Sequence, residues 1–223
     1  MIKKVLVLAT CMVFLLAGVA QAEYFKFLST GTFDVNITDP GGTGNTFVKL
    51  YDVEFGSPAA NYKAFCVDYA SVNPGVAYNN YSMISVPNLE AYKEAAYIFE
   101  NFASINGAAA QLAVWEVVFE QLSGGMVKTV DGLDTPANRG VFYVNSGISS
   151  ADIAQANIWA NEAYNAGKTF DAASYRLLVS AEEGKAYYGS IYQDVLVRVP
   201  EPGVLTLLGL GLVAIGITRR RSK

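Results

Sequence analysis

The sequence predicts an α+β domain in which a β-sandwich or barrel-like sheet carries an insertion of two to three helices. Apolar residues alternate with polar ones near both ends of the central region and recur at helical spacing in its middle, and this order predicts the fold class. A third observation limits the domain. Residues 1–22 and 200–223 of the 223-residue chain are apolar segments with basic flanks, so the domain occupies residues 23–199.

The first part of this domain is predicted to form strands joined by turns. Alternation of apolar and polar residues predicts strands over residues 24–28, 33–37, 46–55 and 64–69. Residues 40–45, which read Pro-Gly-Gly-Thr-Gly-Asn, predict a turn. Four strands in succession indicate that the chain begins with the sheet.

The middle of the domain is predicted to be helical. Apolar residues recur at helical spacing in three stretches, which begin near residues 88, 107 and 149. Ser149 and Asp152 have the spacing of a capping box, with aspartate in place of the usual glutamate. Residues 174–180 and 191–199 return to strand, so the helices interrupt the sheet.

The N-terminal segment, residues 1–22, has the layout of a secretory signal peptide. Two lysines precede an apolar run over residues 5–19, and small residues follow at Ala20 and Ala22. We therefore expect export, with cleavage after Ala22. The alternative is an uncleaved membrane anchor, which the short run and the small-residue triplet disfavour.

The C-terminal segment has three parts in order. Pro200, Glu201 and Pro202 come first, an apolar stretch over residues 204–217 follows, and a basic tip ends the chain. As a helix the fourteen residues 204–217 would span about 21 Å, which is marginal against the ~30 Å of a hydrocarbon core. The basic tip, whose residues include Arg219, Arg220 and Arg221, should stay in the cytoplasm, so the body of the chain would face outward. A plain single-pass anchor is the alternative.

This tail resembles the PEP-CTERM sorting signal, since the Pro-Glu-Pro triplet, the short apolar helix and the arginine cluster occur together. In that family, from Gram-negative bacteria that make exopolysaccharide, a membrane transpeptidase called exosortase is thought to cut the signal. The resemblance implies exosortase as a partner. It also implies that the protein is held transiently in the inner membrane by its C-terminal helix and is then released or moved to the surface.

Composition excludes several functions. Residues 23–199 contain 10 Lys and Arg against 19 Asp and Glu, a net charge of −9, which argues against nucleic-acid binding. The chain has no histidine, so Ser-His and Cys-His catalysis and histidine-ligated metals are excluded. Glu116 and Glu120 lie one helical turn apart and are expected on a solvated face rather than as a glycosidase pair. We expect no enzyme activity, no cofactor and no metal.

Cys66 is the only cysteine expected in the exported protein, because Cys11 belongs to the signal peptide. A lone exported cysteine can pair between chains, react, or lie inert in the core. Gln111 is the second unusual residue, since it interrupts an otherwise apolar helical stretch and needs partners if it is buried.

The sequences Phe-Cys-Val-Asp at residues 65–68 and Gln-Leu-Ala-Val-Trp at residues 111–115 resemble the thioester domains of bacterial surface adhesins. In that family a strand cysteine and a glutamine in a Gln-x-Ala-aliphatic-Trp motif form an internal thioester, which a partner's amine can open. The resemblance implies that Cys66 and Gln111 form this bond, with Asp68, Ala113 and Trp115 as neighbours in the motifs. The family usually has threonine before the glutamine, where this chain has Ala110.

Two functions follow as hypotheses. The leading one is an exported surface or extracellular-matrix protein that adheres covalently through a thioester to an amine-bearing partner. The alternative is a non-covalent structural module of the same architecture that binds matrix or polysaccharide, with Cys66 as a small core residue and Gln111 as a hydrogen-bonded core amide.

Overall fold

A computed structural model describes residues 23–28, 35–39, 42–68, 76–122, 142–180 and 193–199. The predicted signal peptide, with Ala20 and Ala22, and the sorting residues 200–223 lie outside these ranges. The strands are β1 (Glu23–Phe27), β2 (Val35–Asp39), β3 (Gly42–Thr46), β4 (Tyr51–Phe55), β5 (Ala60–Cys66), β6 (Ala77–Ser85), β7 (Tyr143–Ser146), β8 (Tyr175–Ser180) and β9 (Val195–Arg198). The helices are α1 (Glu90–Phe102), α2 (Gly107–Leu122) and α3 (Ser150–Ala166), and a 3-10 turn (Gly167–Thr169) follows α3.

Six of the described strands close into an antiparallel barrel in the order β1–β4–β5–β9–β8–β6, with β6 returning to β1. Alternation within each strand sends every second side chain into the barrel, as in β4, where Tyr51, Val53 and Phe55 are buried. Phe25 stacks on Tyr81 in this core, with ring centroids 4.1 Å apart. The predicted α+β class is confirmed, and the sheet is a barrel.

A smaller sheet of three described strands, in the order β3–β2–β7, lies outside the barrel. This sheet corrects two predicted boundaries. The predicted turn over residues 40–45 contains most of β3, which pairs with β2 from Gly42 to Thr46. The predicted strand over residues 46–55 belongs to two strands, because β3 ends at Thr46 and β4 begins at Tyr51. Glycine-rich composition suggested a turn, but the cross-strand ladder holds the segment extended.

Helix α2 lies at the centre of the helical layer and contacts α1, α3 and β5. Every residue from 109 to 120 is buried, so the helix is enclosed on all sides. The expectation that Glu116 and Glu120 lie on a solvated face is therefore wrong, since both are almost completely buried. Glu120 Oε1 accepts a hydrogen bond of 3.0 Å from the backbone N–H of Phe142. Within the part of the chain that the structure describes, no helix is long and apolar enough to cross a membrane.

Candidate thioester site and sorting motif

The structure brings Cys66 and Gln111 together. Cys66 is the last residue of β5, Gln111 lies in the second turn of α2, and both side chains are fully buried. Gln111 Oε1 accepts a hydrogen bond of 2.9 Å from the Cys66 backbone N–H, and Gln111 Nε2 donates one of 2.8 Å to the Cys66 carbonyl oxygen. The two residues named by the separate motifs therefore meet in the fold, with the Gln111 amide against the Cys66 backbone.

The strand geometry explains this contact. The N–H of Val67 donates to the Asp194 carbonyl at 3.1 Å on the β9 side, so the N–H and C=O of Cys66 point to the opposite side, towards β4. Pairing between β4 and β5 reaches only as far as Tyr51 opposite Ala64. Beyond that pair, the Gln111 amide supplies the donor and the acceptor that a further strand residue would have supplied.

Two residues at the start of α2 place Gln111 at this edge. Asn106 caps the helix, since its Oδ1 accepts hydrogen bonds of 3.1 Å from the backbone N–H groups of Ala108 and Ala109. Gly107 lets the helix approach the chain just before β4, because a Cβ there would lie 3.0 Å from the Cβ and backbone nitrogen of Leu50. The cap and the close approach together bring the second turn of α2 against the end of β5.

Burial governs the electrostatics of the thiol. Removal from water raises the pKa of Cys66 well above its usual value, the charge of Asp68 raises it further, and a hydrogen bond with Tyr51 offsets part of the shift. The thiol is therefore protonated at neutral pH.

Asp68, one of the motif neighbours, belongs to a buried polar network beside the cysteine. Its Oδ1 accepts a hydrogen bond of 2.8 Å from the N–H of Asp194, and Asp194 Oδ1 accepts one of 3.0 Å from the N–H of Ser180. Tyr81 donates to the Gln193 carbonyl at 2.8 Å, and Gln193 Nε2 donates to the Asp68 carbonyl at 3.2 Å. The network joins the ends of β5 and β8, the segment leading into β9, and β6.

Sequence reasoning missed Asp194, Gln193 and Tyr81. Burial raises the pKa of Asp194 to about 6 despite the hydrogen bond from Ser180, and burial also raises the pKa of Tyr81. Asp68 and Asp194 are 126 residues apart in the chain, and no local pattern connects them.

The other motif neighbours lie in the core of α2. Ala113 and Trp115 are both fully buried. Trp115 lies one helical turn beyond Gln111, so the two share a helix face, and its ring packs against those of Phe119 and Phe142. Trp115 therefore anchors the face of α2 that carries Gln111.

The end of β9 leads directly into the C-terminal tail. Arg198 forms an ion pair of 3.1 Å with Glu100 of α1, and the N–H of Val199 donates to the Ser174 carbonyl at 2.9 Å. Residues 198–221 match the PEP-CTERM protein-sorting motif. The match contains the Pro-Glu-Pro triplet and the arginine cluster that the sequence singled out.

The PEP-CTERM motif supports export of the protein, sorting to the cell surface or the exterior, and exosortase as the processing partner. It begins within the last strand of the barrel, so the sorting signal follows the folded body without an intervening domain. No curated protein and no solved structure matches the chain.

Proposed function

We propose that residues 23–199 form an adhesion domain in which Cys66 and Gln111 join as an internal thioester after export. The observation that carries this proposal is the contact between the Gln111 amide and the Cys66 backbone, at 2.9 and 2.8 Å in a fully buried site. The likeness of both local sequences to thioester adhesins supports it. The domain would be held in the inner membrane by the C-terminal segment until exosortase processes the tail.

The geometry suits the chemistry of bond formation. Cys66 Sγ attacks Cδ of Gln111, and negative charge develops on Oε1, which already accepts the Cys66 N–H. The Cδ–N bond then breaks, and ammonia leaves with the amide nitrogen and the thiol proton. The products are one thioester and one ammonia, so no oxidant or cofactor is required.

The same site would carry out adhesion by the reverse type of step. A primary amine of a partner attacks the acyl carbon at Gln111, an amide forms, and Cys66 regains its thiol. Burial of both residues protects the thioester from water until the partner reaches it. The expected partner is an amine-bearing surface, such as lysine side chains of another protein.

A second candidate is a non-covalent matrix or polysaccharide-binding module. One observation favours it: the two hydrogen bonds of Gln111 satisfy buried backbone groups of Cys66, which is a sufficient structural reason for a glutamine at this position. In that case Cys66 remains a free thiol in the core.

Intact mass of the exported protein separates the two candidates. A thioester makes the protein one ammonia lighter than its sequence, leaves Cys66 resistant to alkylation, and allows methylamine to add with return of the thiol. Cys66→Ala and Gln111→Ala should each abolish the ammonia loss and the methylamine uptake. Gln155→Ala, at a partly exposed position of α3, is the matched control and should retain both. An unmodified mass in protein prepared without amines would exclude the thioester.

A further inference from the structure

A cleft of about 430 Å³ lies on the side of the barrel where the helical layer leaves and rejoins it. One wall is the connection from β6 to α1, with Ser85 and Asn88, and the other is the connection into β8, with Phe170 and Asp171. Ser85 faces Arg176 across the β6–β8 ladder. The volume lies within the range of small-ligand sites in proteins, roughly 300–1,000 Å³.

The charge of this cleft differs from that of the domain. Lys93 and Arg176 both line it, against the single carboxylate of Asp171, so its lining is positive within a body of net charge −9. Ion pairs elsewhere join Lys63 to Asp52 at 2.6 Å and Lys168 to Glu90 at 3.5 Å. In the described part of the chain neither cleft cation pairs with a carboxylate.

The arginine is held in place by backbone groups. Arg176 Nη1 donates hydrogen bonds of 2.6 Å to the carbonyl oxygens of both Ala173 and Tyr175. These bonds fix the guanidinium without neutralising its charge, and among the described residues Arg176 forms no ion pair with a carboxylate. Asp171 has one oxygen committed to the N–H of Ala173 at 2.9 Å, which shapes the same connection. A fixed guanidinium with donors to spare suits a planar carboxylate.

The remaining lining suits the rest of a sugar. Phe170 is half-buried, and its ring is held edge-on against those of Tyr97 and Tyr175, so it offers a rigid apolar surface. Asn88 and Ser85 are exposed and offer an amide and a hydroxyl. An apolar surface beside neutral polar groups matches the face and the hydroxyls of a pyranose ring.

We propose that this cleft binds a carboxylate-bearing sugar, a uronic acid residue within an acidic saccharide. Arg176 and Lys93 would bind the carboxylate, Phe170 the sugar face, and Asn88 the hydroxyls. The site is separate from Cys66 and Gln111, so the protein could recognise a polysaccharide whether or not the thioester forms.

Calorimetric titration of the exported full protein tests this proposal, with trigalacturonate as the acidic probe and maltotriose as the neutral one. Trigalacturonate should bind at least about tenfold more tightly than maltotriose, and Arg176→Gln and Lys93→Gln should each weaken it by about ten- to a hundredfold. Lys63→Gln removes a cation elsewhere on the barrel and should leave binding unchanged. Cys66→Ala should also leave it unchanged, which separates this result from any failure of the thioester.

Three outcomes would overturn the assignment. The first is equal binding of the neutral and acidic trisaccharides, or no binding of either. The second is unaltered binding of trigalacturonate by Lys93→Gln. Because Lys93 is partly exposed, misfolding would be a weak explanation for the expected loss of binding in this variant. The third is inorganic phosphate binding as tightly as trigalacturonate, which would mark a simple anion site.

Discussion

The side-chain amide of Gln111 occupies the place of a strand residue opposite Cys66, with hydrogen bonds of 2.9 and 2.8 Å to the Cys66 N–H and C=O. Helix α2 thereby continues the hydrogen-bond ladder of β5 on its β4 side, beyond the last β4 residue that pairs with it. The amide that would become the acyl group of a thioester also satisfies two buried backbone groups. Substitution of Gln111 should therefore affect stability as well as covalent chemistry, and the two effects require separate measurements.

Replacing Gln111 with alanine should destabilise the domain by roughly 2–5 kcal/mol, because it leaves a buried donor and a buried acceptor of Cys66 without partners. Gln111→Glu should be at least as destabilising at pH 7, since a carboxylate can accept from the N–H but cannot donate to the carbonyl. That penalty should shrink at low pH, where the protonated acid can donate. Urea unfolding at pH 4.5 and pH 7 measures both effects.

The control for this comparison is Gln155→Ala, which changes a partly exposed side chain of α3 and should shift the free energy of unfolding by less than about 0.5 kcal/mol. If Gln111→Ala were equally mild, the amide would contribute little to the edge of β5.

Glu94 should make stability depend on pH. Its side chain is fully buried, and Gln121 donates to its Oε2. Burial raises the pKa of Glu94 from 4.5 to about 7, while Gln121 and Lys168 lower it and Glu90 raises it slightly. The folded state therefore binds more protons than the unfolded state between these values. The free energy of unfolding should fall as pH rises from about 4.5 to 7, by up to about 3 kcal/mol, and then level off.

Glu94→Gln keeps the shape of the side chain and removes its titration. Unfolding of this variant at several pH values should show a flatter profile between pH 6 and 7. A slope at lower pH should remain, because the pKa of Asp194 is raised in the same direction, from 3.8 to about 6. Glu90→Gln, exposed on the same helix, should leave the profile close to wild type. An unchanged slope in Glu94→Gln would mean that Glu94 is hydrated in solution.

The fold class followed from local patterns. Alternation predicted β1 and the last three residues of β5, and Ser149 caps α3 at the predicted position, with its side chain accepting the N–H of Asp152 at 3.1 Å. The Asp152 carboxylate accepts from the Ser149 hydroxyl at 2.6 Å. Strands β6 and β7 were missed, and most of β3 was predicted to be a turn. β6 carries Asn79 and Asn80 in its first half, and these interrupt the apolar alternation. The strand is held by pairing with β1 and β8 on either side, which no local pattern reveals.

Only part of the candidate site could be predicted from the sequence. Cys66 and Gln111 were found because each lies in a short recognisable motif. Glu116 and Glu120 were misplaced because periodicity indicates which residues share a face but not whether a helix is enclosed on every side. Asp194 joins the site through tertiary contacts alone, so its role appears only once β5 and β9 are paired.

Gly167 should resist substitution because α1 crosses it closely. A Cβ at Gly167 would lie 2.9 Å from Cα and 3.0 Å from Cγ of Glu94. Its φ of −76° is ordinary helical backbone, so the restriction is steric rather than conformational. Gly167→Ala should lower stability by about 1–3 kcal/mol, although alanine is the better helix former. Thermal unfolding measures this change, and a variant as stable as wild type would show that α1 and the end of α3 can separate at little cost.

The sorting motif gives the last prediction. The described fold reaches Val199, whose N–H is bonded to Ser174, so replacing Pro200, Glu201 and Pro202 with alanine should leave the barrel intact. It removes the triplet by which exosortase is expected to recognise the tail. Fractionation of the producing cell, followed by immunoblotting, should find the variant at its unprocessed mass in the inner membrane, while wild type is at the surface or outside. Ser222→Ala, just beyond the matched residues, should be sorted like wild type. If the triple variant reached the surface at the processed mass, the triplet would have no role in sorting this protein.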